Sequence, residues 1–135
     1  MNYWLVKSEP FKYSWEQFVK DGKTFWDGVR NYGARNNLKA MKKGDLGFFY
    51  HTGDEKRIVG IVEVIGEYRP DPTDEAGKFG LVVVKAVKDM PRPVTLATIK
   101  ATPELANLEL VRLSRLSVSR VGEDEWKLIC KMGGL

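Results

Sequence analysis

The sequence contains a single cysteine and a single histidine among its 135 residues. One cysteine excludes an internal disulfide framework and is typical of a protein that folds in a reducing compartment, so we expect a cytoplasmic location. With Cys130 and His51 alone, no zinc site of the common cysteine and histidine composition can be assembled. We therefore expect no metal and no cofactor.

Long apolar runs and the familiar catalytic motifs are also missing. No run approaches the roughly 18 to 20 residues of a membrane span, and MNYWLVKSEP lacks the basic and then apolar pattern of a signal peptide. The chain has no Walker loop, no dinucleotide fingerprint and no G-x-S-x-G motif. We expect a monomer that does not associate with membranes and is not an enzyme.

Two side chains could still carry chemistry alone. His51 ends the strand-like run FFYH and could act as an acid or base, although a histidine there is more often simply hydrogen-bonded. Cys130 lies on the apolar face of the last predicted helix, where a buried structural thiol is the more common outcome. Neither residue forms part of a recognisable catalytic group.

The hydrophobic pattern predicts an α+β protein. Runs such as DLGFFYH, RIVGIVEVIGEY and FGLVVVKAV are rich in valine, isoleucine and aromatic residues and predict strands. Short runs near both termini bring the number of strands to five or six, while Pro91 and Pro93 indicate an edge strand or a loop. We expect a single domain, residues 1–135, built on a small bent sheet or barrel.

Helices are predicted on either side of these strands. Ser14 is placed to cap a first helix, and the sequence GEDEWKLICKMGG is typical of a last one. Between them, Ala34, Leu38 and Met41 recur at helical spacing, and Gly44 marks the expected end of that helix.

Positive charge is concentrated in the first third of the chain. Residues 1–43 contain nine lysines and arginines and four acids, whereas the remainder contains thirteen basic and fourteen acidic residues. Residues 28–43 alone carry five basic groups and no acid. This charge favours an anionic partner, but a solvated basic helix face explains it equally well.

The segment FWDGVRNYGARNN adds planar hydrogen-bonding groups to that charge. A nucleobase is held by aromatic stacking and by polar groups at its edge, here Trp26 and three asparagines, while arginines hold phosphates. The alternative is that Trp26 belongs to the core and the asparagines form caps and turns. Composition leaves both interpretations open.

Several longer motifs, in order, resemble one family. The segments YWLVKSEP, WDGVRNYGARNNLKAM, GDLGFFYHT, IVGIVEV and RLSVSRV, followed by a tryptophan and ICKMGG, are similar to those of the EVE domain, over about Asn2 to Gly134. The resemblance implies a PUA-like fold, a bent β-barrel flanked by short helices, related in architecture to the YTH readers of methylated adenine. It also implies a non-catalytic reader of modified bases, especially C5-modified cytosine in DNA, which is flipped out of the duplex into an aromatic and polar pocket.

The resemblance also assigns site residues. Those implied for the base pocket are Lys7, Ser8, Glu9, Trp26, Val29, Asn31, Asn36, Asn37, Tyr50, His51 and Thr52. For phosphate contacts we expect the basic residues Arg30, Arg35 and Lys39. The family often has glutamine where this chain has Gly33, and serine where it has Thr52, which bears on base preference more than on fold. We expect at least one asparagine to be a helix cap.

Three other functions remain open from the sequence. PUA-like domains commonly bind RNA, so RNA is an alternative to DNA. The pocket could instead serve a small-molecule or nucleotide-binding protein, or an enzyme with His51 or Glu9 as acid or base. The last alternative is a module that binds other proteins.

Overall fold

The computed structural model describes residues 1–135 as six strands and five α-helices. The strands are β1 (Tyr3–Ser8), β2 (Lys23–Trp26), β3 (Leu46–His51), β4 (Arg57–Pro70), β5 (Gly80–Thr95) and β6 (Val118–Val121). The helices are α1 (Trp15–Asp21), α2 (Tyr32–Ala40), α3 (Leu96–Lys100), α4 (Glu109–Arg112) and α5 (Glu123–Met132), with a 3-10 turn at Pro103–Leu105. The α+β class and the number of strands are confirmed. None of the helices has the length and apolar character needed to cross a membrane.

The strands form one mixed sheet in the order β2-β5-β4-β3-β1-β6. Only β1 and β3 run parallel, and every other pair is antiparallel. Several register shifts interrupt the pairing of β4 with β5, and such bulges bend a strand. The sheet is not closed into a barrel, because β2 and β6 form its two ends.

Both faces of the sheet are buried, so the molecule has two hydrophobic cores. On β1, Trp4 and Val6 pack into the core beneath α1 and α2, whereas Leu5 points to the opposite core. Helices α3, α4 and α5 cover that second core with Ile99, Leu110 and Ile129, among others. We call them the first and the second core. The alternation of side chains along each strand decides which core a residue joins.

The predicted helices are present, with one shifted end. Ser14 caps α1 by accepting a hydrogen bond from the Gln17 amide, and Ala34 and Leu38 are fully buried on α2 as expected. Helix α2 ends at Ala40 rather than at the lysines before Gly44, which instead occupies a left-handed turn at φ +92°.

Pro91 and Pro93 lie inside β5 and not in a loop. Residues Val82–Lys85 of β5 pair with β2 on one side and β4 on the other, whereas the proline segment lies beyond β2. The pairing of β5 with β4 also shifts register there, from Asp89 to Val94, so neither proline is paired with β4 and a missing amide proton is tolerated. The expected edge-strand character is therefore present locally, in the outer half of a longer strand.

Candidate functional site

A cleft of about 460 Å³ opens on the first-core side of the sheet, beside the ends of β1 and β2. Its volume falls in the range of about 300–1,000 Å³ typical of ligand pockets. It is lined by Lys7, Ser8, Glu9, Lys12, Tyr13, Thr24, Phe25, Trp26, Asp27, Gly28, Val29, Arg30 and Ser117. The structure thus brings together the KSE and W-x-x-V-R residues that the sequence analysis assigned to one site.

The β1 side of the cleft is held rigidly. Ser8 Oγ donates a hydrogen bond of 2.6 Å to the Tyr13 carbonyl, and the Thr52 amide donates one of 3.0 Å to the Ser8 carbonyl. Since the Ser8 hydroxyl proton is used within the chain, the lone pairs of that oxygen can accept from a ligand. Lys7 Nζ donates 2.8 Å to the Ser114 carbonyl, and burial lowers the pKa of Lys7.

Trp26 forms the aromatic wall on the β2 side. Its ring is half-buried and packs edge-on against Phe49 of the first core, with centroids 5.7 Å apart and planes at 84°. This contact fixes the indole plane, as a stacking surface requires. The neighbouring Phe25 also lines the cleft and is 55% exposed, with the Arg69 guanidinium 5.1 Å from its ring centre.

A short rim segment, residues 26–30, connects β2 to α2 and depends on one buried acid. Asp71, only 2% exposed, accepts hydrogen bonds from the Gly28 amide (2.9 Å) and from Arg30 Nη1 (3.2 Å). The Thr73 amide and hydroxyl donate to its other oxygen at 2.8 and 2.6 Å. Burial alone would raise the pKa of Asp71, but the bonds from Thr73, Gly28 and Arg30 outweigh it and hold that pKa well below its usual range.

Arg30 is tied into this arrangement and is not a free phosphate ligand. Besides Asp71, its guanidinium donates to the Val29 carbonyl at 3.0 Å and to Thr73 Oγ1 at 3.0 Å. The side chain remains 40% exposed at the cleft, so its positive charge still faces a ligand. Gly28 has φ +74°, a conformation that glycine adopts without strain.

None of the three asparagines lines the cleft. Asn31 Oδ1 accepts from the Ala34 amide at 3.0 Å and caps α2, which confirms that one of them is a cap. Asn37 Nδ2 donates 2.7 Å to the Val118 carbonyl and joins α2 to β6. Asn36 is exposed and contacts its neighbour Arg35. The helix turns these residues around its axis and away from the rim segment.

The FFYHT residues also lie elsewhere. Tyr50 is buried in the second core, because alternation along β3 gives Phe49 to the first core, and burial raises the pKa of Tyr50. His51 Nε2 accepts from the Trp15 amide at 3.0 Å, so Nδ1 is the donor to Glu55 at 2.8 Å. This hydrogen bond lowers the pKa of Glu55. Thr52 lines a neighbouring groove.

Arg35 and Lys39, the other two residues expected to contact phosphates, lie on the outer surface of α2. The Arg35 guanidinium lies 4.7 Å from the Tyr32 ring centre and donates to the Lys78 carbonyl at 3.3 Å. Lys39 Nζ lies 5.5 Å from the ring centre of Tyr68. Neither side chain lines the cleft.

Sequence reasoning missed several lining residues and the acid behind them. The missed lining residues are Lys12, Tyr13, Thr24, Phe25, Asp27, Gly28 and Ser117. The alternation of β2 is a signal for Thr24, which lies two residues before Trp26 and therefore on the same face of the strand. Asp71 and Ser117 have no such local signal, because they reach the site through pairings more than forty residues away in the chain.

Comparisons with known proteins give the family. The EVE domain model matches residues 2–132. Human thymocyte nuclear protein 1 is 32% identical over 165 residues, which cover 97% of this chain and 73% of the human protein. A solved protein from Agrobacterium tumefaciens is 52% identical, with a TM-score of 0.97 over 100% of this chain and 94% of the other.

Two further structures carry ligands. Human THYN1 protein, solved in complex with 5-methylcytosine-containing DNA, is 32% identical, with a TM-score of 0.93 over 100% of this chain and 99% of the other. A YTH domain from Zygosaccharomyces rouxii, solved with N6-methyladenosine RNA, is 17% identical; its TM-score of 0.61 over 99% of this chain and 87% of the other shows a shared PUA-like fold. The family expected from the motifs is confirmed: the chain belongs to the EVE domain family.

Proposed function

We propose that the protein binds nucleic acid and reads a modified base without turnover, with a C5-modified cytosine in DNA as the preferred target. One observation carries this proposal. The human THYN1 protein bound to 5-methylcytosine-containing DNA aligns over the whole of this chain with a TM-score of 0.93 and 32% identity. The cleft described above lies in the part of the fold that the two proteins share.

The cleft supplies the groups that a flipped cytosine needs. Trp26 offers a fixed aromatic plane, and stacking on such a plane stabilises a base by about 1–3 kcal/mol. The N4 amino group of cytosine is a donor. Ser8 Oγ, which donates to Tyr13, is left as an acceptor, and the Glu9 carboxylate is a second one. Both acceptors face the cleft with Trp26.

The free energies of base extrusion, stacking and methyl burial determine how strongly the modified base should be preferred. Extruding a base from a duplex costs a few kcal/mol, so stacking on Trp26 must be supplemented by contacts to the base edge and the phosphates. Burying one methyl group adds about 0.8 kcal/mol, which is a factor of about four in affinity. We therefore expect a modest preference for the modified base.

Positive charge close to the cleft supports a phosphate partner. Lys7, Lys12 and Arg30 line the cleft together with Glu9 and Asp27, and Arg30 is paired with the buried Asp71. Neutralising phosphates releases counterions, so affinity should fall steeply as salt rises. We further propose that the protein is a cytoplasmic monomer; the single cysteine is typical of a reducing compartment.

The positions of His51 and Cys130 favour binding without catalysis. Both ring nitrogens of His51 are occupied by Trp15 and Glu55. Cys130 packs against the second core, on the other side of the sheet from the cleft, and burial raises the pKa of its thiol. Neither residue lines the cleft.

A titration series tests the proposal. Duplexes that differ only in the C5 substituent of one cytosine are titrated with the wild-type protein and with Trp26→Ala, at a low and a high salt concentration. The matched control is Asn36→Ala, which removes an exposed polar side chain outside the cleft. We expect about a fourfold preference for the methylated duplex and weaker binding at high salt, with the preference lost on Trp26→Ala and kept on Asn36→Ala.

Equal affinity for all duplexes at each salt concentration would contradict base reading and leave only electrostatic adhesion. RNA of the same sequence is added as a competitor. Displacement at a lower concentration of RNA than of DNA would assign the cleft to RNA. Turnover of a free modified nucleoside would contradict the non-catalytic part of the proposal.

A further inference from the structure

Phe11 is the most exposed of the large hydrophobic side chains, with 83% of its surface in solvent. It lies in the turn that follows β1, between Glu9 and Lys12, which both line the cleft. Phe11 itself lines the neighbouring groove, which shares Glu9 with the cleft. A large apolar side chain therefore projects into water directly beside the candidate base pocket.

The turn that carries Phe11 is well braced. The Lys12 and Tyr13 amides both donate to the Glu9 carbonyl, at 3.0 and 2.9 Å. Ser8 Oγ holds the Tyr13 carbonyl at 2.6 Å from the other side. These bonds fix the backbone on both sides of Phe11, while the exposed ring adds little packing to the fold. Single exposed apolar side chains are common on protein surfaces, so it is the place of Phe11 beside the cleft, and not its exposure alone, that indicates a role in ligand binding.

Charge around the ring indicates how a duplex would lie. The cleft is lined by both basic and acidic residues, and Lys12 Nζ lies 3.7 Å from the Glu9 carboxylate, whereas the groove is lined by Asp54 and Glu55 with no basic residue. Phosphates are therefore repelled more strongly by the groove than by the cleft. The phosphate backbone is therefore expected to follow the cleft side, which leaves the Phe11 ring facing the base stack.

We propose that Phe11 is a wedge that enters the base stack of a duplex where the target base leaves it. This inference rests on the proposed function and adds a residue that acts on the duplex and does not touch the flipped base. Proteins that unstack DNA commonly insert phenylalanine, leucine, isoleucine or methionine between bases. A wedge stabilises the opened duplex, and it contributes nothing when the target is already unpaired.

The experiment compares two substrates that carry the same 5-methylcytosine, a duplex and the corresponding single strand. We expect Phe11→Ala to weaken binding of the duplex about tenfold and to leave binding of the single strand within about twofold. Trp26→Ala should weaken both. In the duplex, 2-aminopurine beside the modified cytosine should brighten with the wild type and much less with Phe11→Ala.

Two control variants sharpen the comparison. Phe11→Leu keeps an apolar wedge and should recover most of the duplex affinity. Tyr32→Ala removes a 53% exposed aromatic ring outside the cleft and should not change the ratio of duplex to single-strand affinity. At 83% exposure, Phe11 can be replaced without loss of the fold, and a thermal melt checks this.

An unchanged duplex affinity for Phe11→Ala, or an equal loss on both substrates, would overturn the wedge. The proposed function fails by a different result, namely a wild-type protein with no preference for the modified base. In that case the ratio of duplex to single-strand affinity still decides the role of Phe11. A wild-type protein that binds neither substrate contradicts both proposals.

Discussion

The rim segment, residues 26–30, and helix α2 are adjacent in sequence and both carry polar groups, yet those groups do different things. In the rim segment, Trp26 and Arg30 face the cleft, and the backbone of Gly28 is held from behind by Asp71. At α2, Asn31 caps the start of the helix, and Asn37 donates a hydrogen bond that links the helix to β6.

This difference shows that polar side chains beside a site need not belong to it. A helix must satisfy its first amide groups and must be attached to the sheet, and asparagine serves both needs. The rim segment has no regular hydrogen bonding of its own, so its conformation depends on a buried acid supplied by a distant loop. Polar side chains are thus structural in α2, whereas in the rim segment Trp26 and Arg30 stay available to a ligand.

Among substitutions in the rim segment and in α2, we expect Trp26→Ala to have the largest effect on nucleic-acid affinity. Removing the stacking plane should reduce nucleic-acid affinity by about 2 kcal/mol, or roughly 30-fold. Trp26→Phe should retain part of the affinity, since a smaller ring still packs on Phe49. Fluorescence anisotropy titrations measure both variants. If the folded Trp26→Ala variant binds nucleic acid as tightly as the wild type, the cleft is not the base-binding site.

We expect the second-largest effect from Asp71→Asn, which changes both stability and binding. Both oxygens of Asp71 accept from donors, so an amide of the same shape must turn an NH₂ group towards another donor. We expect a loss of about 2 kcal/mol in the free energy of unfolding, together with weaker binding because the rim segment is released. Urea unfolding and titration of the same variant measure the two effects. Full stability would show that the rim segment does not depend on this acid.

The same residue predicts a dependence on pH. Because the folded pKa of Asp71 is depressed, its stabilising contribution is complete above the ordinary aspartate pKa of about 4 and is lost as pH falls towards the folded pKa. The difference in unfolding free energy between wild type and Asp71→Asn should therefore shrink as pH is lowered below about 4. A difference that grows on acidification would contradict the assigned ionised state.

A smaller and opposite pattern is expected for Asn37→Ala. The variant loses the 2.7 Å bond to the Val118 carbonyl, so the free energy of unfolding should fall by about 1 kcal/mol. Nucleic-acid affinity should not change, since Asn37 does not line the cleft. Urea unfolding measures the change in stability, and a binding titration measures the affinity. If binding falls while stability holds, then α2 takes part in base reading after all.

The smallest effect is that of Asn36→Ala. The side chain is exposed and contacts only Arg35, so both stability and affinity should stay within about 0.5 kcal/mol of the wild type. The measurements used for Asn37→Ala apply unchanged. A clear loss of affinity would mean that the outer surface of α2 contacts the nucleic acid directly.

Much of the fold was predictable because its signals are local. The stripe of Ala34, Leu38 and Met41, the Ser14 cap and the β-branched runs are each readable within a short window. The extent of β5 was not predictable, since prolines such as Pro91 and Pro93 normally interrupt strands. They are accommodated because β2 stops pairing before them and because the pairing with β4 shifts register across them, which are properties of the sheet and not of the segment.

The site was predicted in part, for the same reason. The KSE and W-x-x-V-R residues lie at strand ends and in the rim segment, so motif resemblance alone brought them to one cleft. Tyr50 was misplaced because β3 is buried on both faces, and a fully apolar run gives no alternation to show which core each residue joins. The contact of Asp71 with Gly28 spans 43 residues and leaves no trace in the sequence.

Chemical-shift mapping tests the contrast between the rim segment and α2 most directly. The ¹⁵N-labelled protein is titrated with a duplex carrying one 5-methylcytosine, and the backbone amide and tryptophan indole signals are followed. The account predicts large shifts for Ser8, for the Trp26 indole and for Gly28, and small shifts for Asn36 and Tyr50. Shifts concentrated on the outer surface of α2, with the cleft signals unmoved, would contradict it.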